Sequence, residues 1–289
     1  STWSGCGRGT GGSRGAAGTE ARMKLGTTTF GFRYLLLDAA RVPSLESVVE
    51  RARAAGLEAL QVCENARPME LDEGKWQAVV ERAAELGVEL QLGCKTVDLG
   101  EFQAYAERAA RLPARLLRVV LEWEEGPAPT RADVDAFLMG AWPILEANDL
   151  RLAIENHFDV PSEALAAAVA RYPRERVGFC IDTANSLRNF EPPEKVLELL
   201  GDRAFCYHLK DFRVEGDKLG FRVSGAVLGE GRLDLDGVLE RIFARDAAPQ
   251  IFVENWTPGT GGWEADVRED EKWLRRSVAA LRTRLERRT

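Results

Sequence analysis

Four runs built mostly from apolar residues end on side chains able to bind a metal or move a proton. They are Leu152-Ala-Ile-Glu155, Val177-Gly-Phe-Cys-Ile-Asp182, Phe205-Cys-Tyr-His208 and Ile251-Phe-Val-Glu254. Glu, Asp, His and Glu together make a mixed oxygen and nitrogen set. Such a set suits a hard or borderline divalent ion such as Mn²⁺, Mg²⁺, Co²⁺ or Zn²⁺. Taken singly, each has an ordinary explanation. Glu155 or Glu254 could be an ion-pair partner, Asp182 a cap before Thr183, and His208 a satisfied interior histidine. Four of them at the ends of four successive runs point instead to one centre.

Beside a divalent ion, these residues suit proton movement next to a carbonyl. That chemistry needs a Lewis acid to stabilise the enediolate, a base on one face and a second group to return the proton. Glu155 and Glu254 are the candidate acid and base, each able to offer one oxygen to the metal and the other to substrate. The chain contains only two histidines, so a His-rich site is excluded. Around this core, His157, Asn185, Lys210, Arg213, Trp123, Trp256 and Glu64 are candidate substrate contacts. His157 could orient a neighbour, Lys210 or Arg213 could clamp an anion or hydroxyl, and the two tryptophans could form apolar walls.

The elements that must position these residues alternate strand and helix. Strands are expected over Lys24–Phe30, Leu57–Cys63, Val88–Cys94, Leu116–Leu121, Leu152–Glu155, Val177–Asp182, Ala204–His208 and Gln250–Glu254. Helices are expected over Ser44–Ala55, Lys75–Leu86, Glu101–Leu112, Thr130–Ala147, Ser162–Ala170, Pro193–Leu200, Leu233–Phe243 and Glu264–Leu285. A Pro-rich turn, Gly126-Pro-Ala-Pro129, leads into the fourth of these helices. Apolar runs of this kind are strands buried on both faces. Eight strand-then-helix units in one domain predict a parallel (β/α)8 TIM barrel, whose chemistry sits at the C-terminal strand ends. A doubly wound open sheet is the rival, weakened because no GxGxxG follows the first strand. Residues 209–232 form a connection far longer than the usual 2–6 residues. Within it Phe212-Arg-Val and Phe221-Arg-Val flank Gly-Asp-Lys-Leu-Gly, which predicts a small β-hairpin over the C-terminal face.

Composition sets the outer bounds. The chain has 289 residues, enough for one barrel domain of roughly 250. Residues 1–22 are Gly-rich and read as a disordered extension, leaving 23–289 as the barrel. The net charge of -7 argues against a nucleic-acid partner, which wants a basic face. No apolar run approaches a membrane span. Cys6, Cys63, Cys94, Cys180 and Cys206 are scattered without a CxxC pair and read as reduced thiols of a cytoplasmic protein. Self-association into a homo-oligomer is left open.

Glu155-Asn156-His157, Asp182-Thr183-Ala184-Asn185, His208-Leu-Lys210-Asp211, Leu228-Gly-Glu-Gly231 with Asp234, and Glu254-Asn255 resemble the sugar phosphate isomerase/epimerase family. That family has the xylose isomerase-like TIM barrel. The resemblance runs from about Met23 to the C-terminus. It implies a divalent metal, often Mn²⁺, held by Glu155, Asp182, His208 and Glu254, with the two glutamates doubling as acid and base. It also implies a small-molecule substrate, a keto-sugar or sugar acid, processed through an enediolate stabilised by the metal. Ketose 3-epimerases are similar but carry His where Asn185 stands, and an Arg shortly after the metal His without a hairpin. The Asp182-Thr-Ala-Asn185-Ser stretch and the Gly220-Phe-Arg-Val-Ser-Gly-Ala-Val-Leu-Gly-Glu-Gly loop look more like 3-oxo-isoapionate decarboxylases. An isomerase or epimerase is therefore the broad expectation, with decarboxylation of a 3-oxo sugar acid as the alternative. Endonuclease IV shares the barrel and the ligand core, but needs further histidines that this chain lacks. A non-catalytic sugar-binding subunit is the remaining rival.

Overall fold

In the computed structural model the described residues are 23–38, 44–123 and 129–288. The expectations for the Gly-rich start, Cys6 and the first three residues of the Pro-rich turn, 126–128, fall outside them. Eight parallel strands close into a barrel. In chain order they are β1 (Lys24–Thr28), β2 (Ala59–Val62), β3 (Glu89–Lys95), β4 (Leu116–Val120), β5 (Arg151–Glu155), β6 (Val177–Asp182) and β7 (Ala204–Leu209). The eighth is the tenth strand of the chain, β10 (Gln250–Val253), because a hairpin of β8 (Asp211–Asp217) and β9 (Gly220–Ala226) intervenes. The closed order is β1-β10-β7-β6-β5-β4-β3-β2, with every neighbouring barrel pair parallel.

Two apolar layers hold the barrel. Outward strand residues such as Leu60, Leu92, Ile154, Ile181 and Ile251 pack against the surrounding helices in one continuous core. Inward residues Ala59, Leu116, Ala153, Cys180, Cys206 and Phe252 form a second, smaller cluster inside the barrel. Because strand side chains alternate faces, the next inward position toward the C-terminal end is two residues on. For β5, β6, β7 and β10 that position is Glu155, Asp182, His208 and Glu254. The interior floor is thus apolar and its roof is polar.

The helices are α1 (Arg33–Leu37), α2 (Leu45–Ala54), α3 (Glu73–Leu86), α4 (Leu99–Ala109), α5 (Arg131–Asn148), α6 (Ser162–Val169), α7 (Pro193–Leu200), α8 (Leu235–Phe243) and α9 (Trp263–Glu286). Two of them start two residues earlier than the apolar pattern predicts. Asp72 accepts from Lys75 N at 2.9 Å and Asp98 from Glu101 N at 2.7 Å, so the caps, not the first apolar residues, set the starts. The first strand ends at Thr28 rather than Phe30. There the Thr28 side chain accepts from Phe30 N at 3.2 Å and turns the chain into a 3₁₀ turn and α1.

The long connection after β7 contains the expected hairpin, paired from Asp211↔Ala226 to Asp217↔Gly220. Asp211 ties its base. Its Oδ2 accepts from Gly229 N at 2.8 Å and Gly231 N at 3.0 Å, and its Oδ1 from Phe212 N at 2.7 Å and Leu233 N at 2.9 Å. A Cβ on Gly231 would fall 2.2 Å from Asp211 Oδ1, so only glycine lets the loop close this tightly.

Candidate metal centre and substrate cavity

The four polar strand ends converge. Ligand atoms of Asp182, His208 and Glu254 lie within 4.8 Å of one another, as do those of Glu155, Cys180 and His208. All are buried. Cys180 sits in the apolar layer beneath the others, and burial pushes its thiol well above the ordinary range, so the carboxylates and imidazole are the better donors.

The proton on His208 is assigned by its neighbours. Gln61 Nε2 donates to Gln91 Oε1 at 3.2 Å, which turns Gln61 Oε1 toward His208 Nε2 at 3.0 Å. Nε2 must therefore carry a hydrogen, and Nδ1 is the nitrogen turned toward the acidic strand ends. It faces Glu155 Oε2 at 3.4 Å and Glu254 Oε2 at 3.3 Å and has no hydrogen-bond partner. An unprotonated Nδ1 and two carboxylate oxygens meeting in a buried space repel unless a cation lies between them. Asp182 is arranged similarly. Its Oδ1 accepts from Ala184 N and Asn185 N, both at 2.8 Å, while its Oδ2 makes no well-oriented hydrogen bond. Three carboxylates and one imidazole nitrogen thus fit a divalent ion by chemistry and by orientation.

Two protein cations already balance part of this charge. Arg118 Nε donates to Glu155 Oε2 at 2.5 Å, and its Nη1 reaches Glu64 Oε2 and Cys94 O, both at 3.3 Å. Lys210 Nζ lies 2.6 Å from Glu254 Oε1, 3.0 Å from Asp182 Oδ2 and 3.3 Å from Asn185 Oδ1. Against Glu155, Asp182 and Glu254 this leaves one negative charge. A divalent ion would reverse the sign to one positive charge, which favours an anionic substrate or intermediate.

Titration behaviour follows these contacts. Burial pushes Glu155 up, but Arg118, then His208, Lys210 and His157, outweigh it and hold the carboxyl at about 2. Burial likewise opposes the charge on Glu254, and Lys210 with His208 bring its pKa below the ordinary range. For Asp182 burial wins, reinforced by Glu155 and Glu254 against Lys210, and its pKa is raised. Burial disfavours the Lys210 ammonium, yet Asp182, Glu254 and Glu155 raise its pKa well above the usual range. Burial lowers His157 to about 4 despite Glu155.

Above these four side chains lies a cavity of about 290 Å³. Phe30, Phe158 and Trp256 supply apolar wall, and Arg33, Lys95, Arg118 and Lys210 supply positive charge. Of the residues singled out in the sequence, Glu64, Glu155, His157, Asn185, Lys210, Glu254 and Trp256 line it. Asn185 Nδ2 donates to Glu155 Oε1 at 2.8 Å, and the His157 ring lies 4.0 Å from the ring of Phe158, centroid to centroid. Two others stand elsewhere. Trp123 borders a neighbouring hollow with Lys95, Asp98, Glu101 and Glu122. Arg213 is exposed on β8, past the two buried residues at the hairpin base, and does not line the cavity.

The sequence reading missed Arg118, Arg33 and Lys95. Arg118 sits mid-run in Leu-Leu-Arg-Val-Val, and the inward parity of β4 was the one available signal. Arg33 is fixed through Nη2 to Thr257 O at 2.7 Å and Tyr34 Oη at 2.6 Å. Asn156 also went without a role. It accepts from Asp182 N at 2.8 Å and donates to Asp182 O at 2.9 Å, fixing the β6 strand end.

Residues 49–277 match the family model for the xylose isomerase-like TIM barrel. The chain is 29% identical over 268 residues to 3-oxo-isoapionate decarboxylase of Pectobacterium atrosepticum, covering 91% of this chain and 96% of that protein. A D-psicose 3-epimerase from Clostridium cellulolyticum H10, solved with D-tagatose, superposes with a TM-score of 0.70 at 13% identity, over 91% of this chain and 99% of that one. A xylose isomerase-like TIM barrel protein from Mycobacterium smegmatis, solved with magnesium, gives 0.64 at 12% identity, over 90% and 98%.

Proposed function

We propose, from the premise that this chain belongs to the xylose isomerase-like TIM barrel family, that it is a divalent-metal-dependent enzyme that decarboxylates a 3-oxo sugar acid. The observation that carries this choice is the state of Glu155. Its Oε2 takes a hydrogen bond from Arg118 Nε at 2.5 Å and its Oε1 one from Asn185 Nδ2 at 2.8 Å. An isomerase or epimerase must remove a proton at one position and return one at another, which calls for two competent acid/base groups. Glu155 is clamped on both oxygens and is a poor base. Decarboxylation beside a ketone needs no base at carbon. The C–C bond to the carboxylate breaks, its electron pair passes into the ketone as an enediolate, CO₂ leaves, and one acid returns a proton to carbon. The 29% identity to a 3-oxo-isoapionate decarboxylase supports the same reading.

Glu155, Asp182, His208 and Glu254 would hold the metal, for which Mn²⁺ is the first choice and Mg²⁺, Co²⁺ or Zn²⁺ the alternatives. The bound ion would supply Lewis acidity to the ketone oxygen and stabilise the negative charge that builds there. The chain's own residues do the rest. Arg33 is the fixed guanidinium at the cavity and orients the departing carboxylate. Lys210, 2.6 Å from Glu254 Oε1, forms with it the pair that returns the proton to carbon. Trp256, Phe30 and Phe158 wall the site and restrict water around the carbanion. His157 packs on Phe158 and shapes that wall. The cavity of about 290 Å³ fits a small sugar acid, and the net charge of -7 disfavours nucleic acid.

Isomerase or epimerase chemistry remains the second reading, favoured by the Glu254–Lys210 pair, which sets a proton acceptor and a proton donor side by side at 2.6 Å, although Glu254 Oε2 also accepts from Thr28 Oγ1 at 2.7 Å. Incubation with Mn²⁺ and 3-oxo sugar acids or keto-sugars in D₂O separates the two. Stoichiometric CO₂ with one deuterium in the product is the expected result. Deuterium washing into recovered substrate without CO₂ release would overturn it in favour of the isomerase.

A further inference from the structure

We propose that Glu89, at the opposite end of the barrel, is a positioning residue that fixes which nitrogen of His208 carries the proton. It acts through a directional chain of side-chain amides inside the barrel. Glu89 is the first residue of β3 and ion-pairs with Lys24. Its Oε1 accepts from Gln250 Nε2 at 2.9 Å and from Gln91 Nε2 at 3.2 Å. Gln91 Nε2 also donates to Gln250 Oε1 at 2.6 Å. Gln61 Nε2 then donates to Gln91 Oε1 at 3.2 Å, and Gln61 Oε1 faces His208 Nε2 at 3.0 Å. Gln61, Gln91 and His208 are buried, and Gln61 and Gln91 sit opposite each other in the β2–β3 register.

The direction of this chain has one origin. An amide offers a donor on one side and an acceptor on the other, and turning it over exchanges them. A carboxylate only accepts. Glu89 therefore draws the NH₂ groups of Gln250 and Gln91 toward itself. Gln91 must then show its oxygen to Gln61, and Gln61 must show its oxygen to His208. An imidazole facing that oxygen holds a hydrogen on Nε2 and leaves Nδ1 as the nitrogen free to take a cation beside Glu155 and Glu254. With a neutral group able to donate at position 89, every amide could turn over and leave His208 protonated on Nδ1, where no ligand bond forms. Metal-binding histidines are commonly held by one partner on the second nitrogen. Here the fixed end of that hold lies a barrel length away.

The tautomer can be read without any metal. The chain has two histidines, so nitrogen–proton correlation spectra of chelator-treated protein labelled with ¹⁵N at histidine resolve both rings. His208 is expected to carry a hydrogen on Nε2 in the parent, whatever Nδ1 holds, and to lose it wholly or in part in Glu89→Gln. Divalent-ion binding by calorimetry should weaken about 10- to 100-fold in that variant. Gln91→Met, which cuts the chain but leaves Glu89, should do the same. Gln61→Glu added to Glu89→Gln puts an obligatory acceptor next to His208 and should restore both the Nε2–H form and the affinity. An unchanged tautomer in a folded Glu89→Gln and a folded Gln91→Met would overturn the proposal, as would a loss that Gln61→Glu fails to rescue. The affinity measurement rests on the metal reading above; if the parent binds no ion, that reading fails, and the tautomer measurement still decides the role of Glu89.

Discussion

Arg118→Met is the sharpest perturbation of the centre. The side chain keeps its length and apolar stem, fills much of the same buried space and removes only the guanidinium. Glu155 is then left inside the barrel with its strongest cation gone. Its carboxyl stands at about 2 in the fold, against an ordinary 4.5. Returning it only to the ordinary value costs about 3 kcal/mol, at roughly 1.4 kcal/mol per pH unit. Burial, the largest influence on this group, pushes in the same direction, so about 3 kcal/mol is the smaller side of the expectation and about 5 the larger. The pH dependence has a definite sign. A carboxyl depressed in the fold contributes stability above its unfolded pKa and loses it as pH falls toward the folded value. The deficit of the variant should therefore be full at pH 7 and shrink between about 4.5 and 2. Urea denaturation of chelator-treated parent and variant at pH 7 and at pH 3, inside that window, measures it. Arg118→Lys keeps a charge but loses the planar fork shared with Glu64 and Cys94 O, and should recover part of the stability. A deficit under about 1 kcal/mol at pH 7, or one that does not narrow on acidification, would refute the assignment of Arg118 as the counter-charge that holds Glu155 ionised.

Three further outcomes are expected. Glu254→Gln keeps an oxygen ligand but removes the carboxylate partner of Lys210, so calorimetry should find metal bound while turnover falls by about 10²–10⁴. Asp211→Ala strips the acceptor from four backbone amides at the hairpin base, and a stability loss of about 2–4 kcal/mol in urea is expected with the metal affinity unchanged. Burial raises Asp270 to about 6, above its ordinary 3.8; a raised acid favours the fold when protonated, so it costs stability as pH climbs from 3.8 to 6. Asp270→Asn should accordingly stabilise the protein at pH 7.5 and lose that advantage below pH 4, which thermal melts at the two pH values will report.

The barrel was legible because its period is simple: apolar runs alternate with amphipathic helices, and each run is as long as a strand. The polar strand ends stood out by contrast, since Glu155, Asp182, His208 and Glu254 close apolar stretches. Arg118 interrupts one too, in mid-run, and only the parity it shares with Leu116 on β4 signals that it points inward. Arg213 misled for the complementary reason. It stands close to His208 in sequence, but the hairpin begins between them and projects from the barrel, so every residue of β8 from Arg213 on is exposed. Trp123 follows β4 and faces the next hollow rather than the cavity, a matter of loop path that spacing does not encode. Lys210 looks like a clamp for substrate in the sequence. It is found between two of the acidic strand ends, because the chain turns inward at the His-Leu-Lys-Asp step. The glutamines were invisible as a group, since Gln61, Gln91 and Gln250 become neighbours only when the sheet closes.

Asp211 gives the hairpin a particular kind of independence. Both strands leave and re-enter the barrel at one point, the Asp211↔Ala226 pair, and the same carboxylate gathers the chain that follows. Whatever lies beyond that pair is topologically a side branch, so residues can be added to or removed from its tip without moving His208 or Lys210. Gly225 seats the branch against the backbone oxygen of Trp256, where a Cβ would come within 1.8 Å. The branch is thus seated on the cavity wall through its root. Length variation during descent, or grafting in the laboratory, can be tolerated there at little risk to the centre, and this makes the hairpin the place in the fold most open to acquiring new recognition.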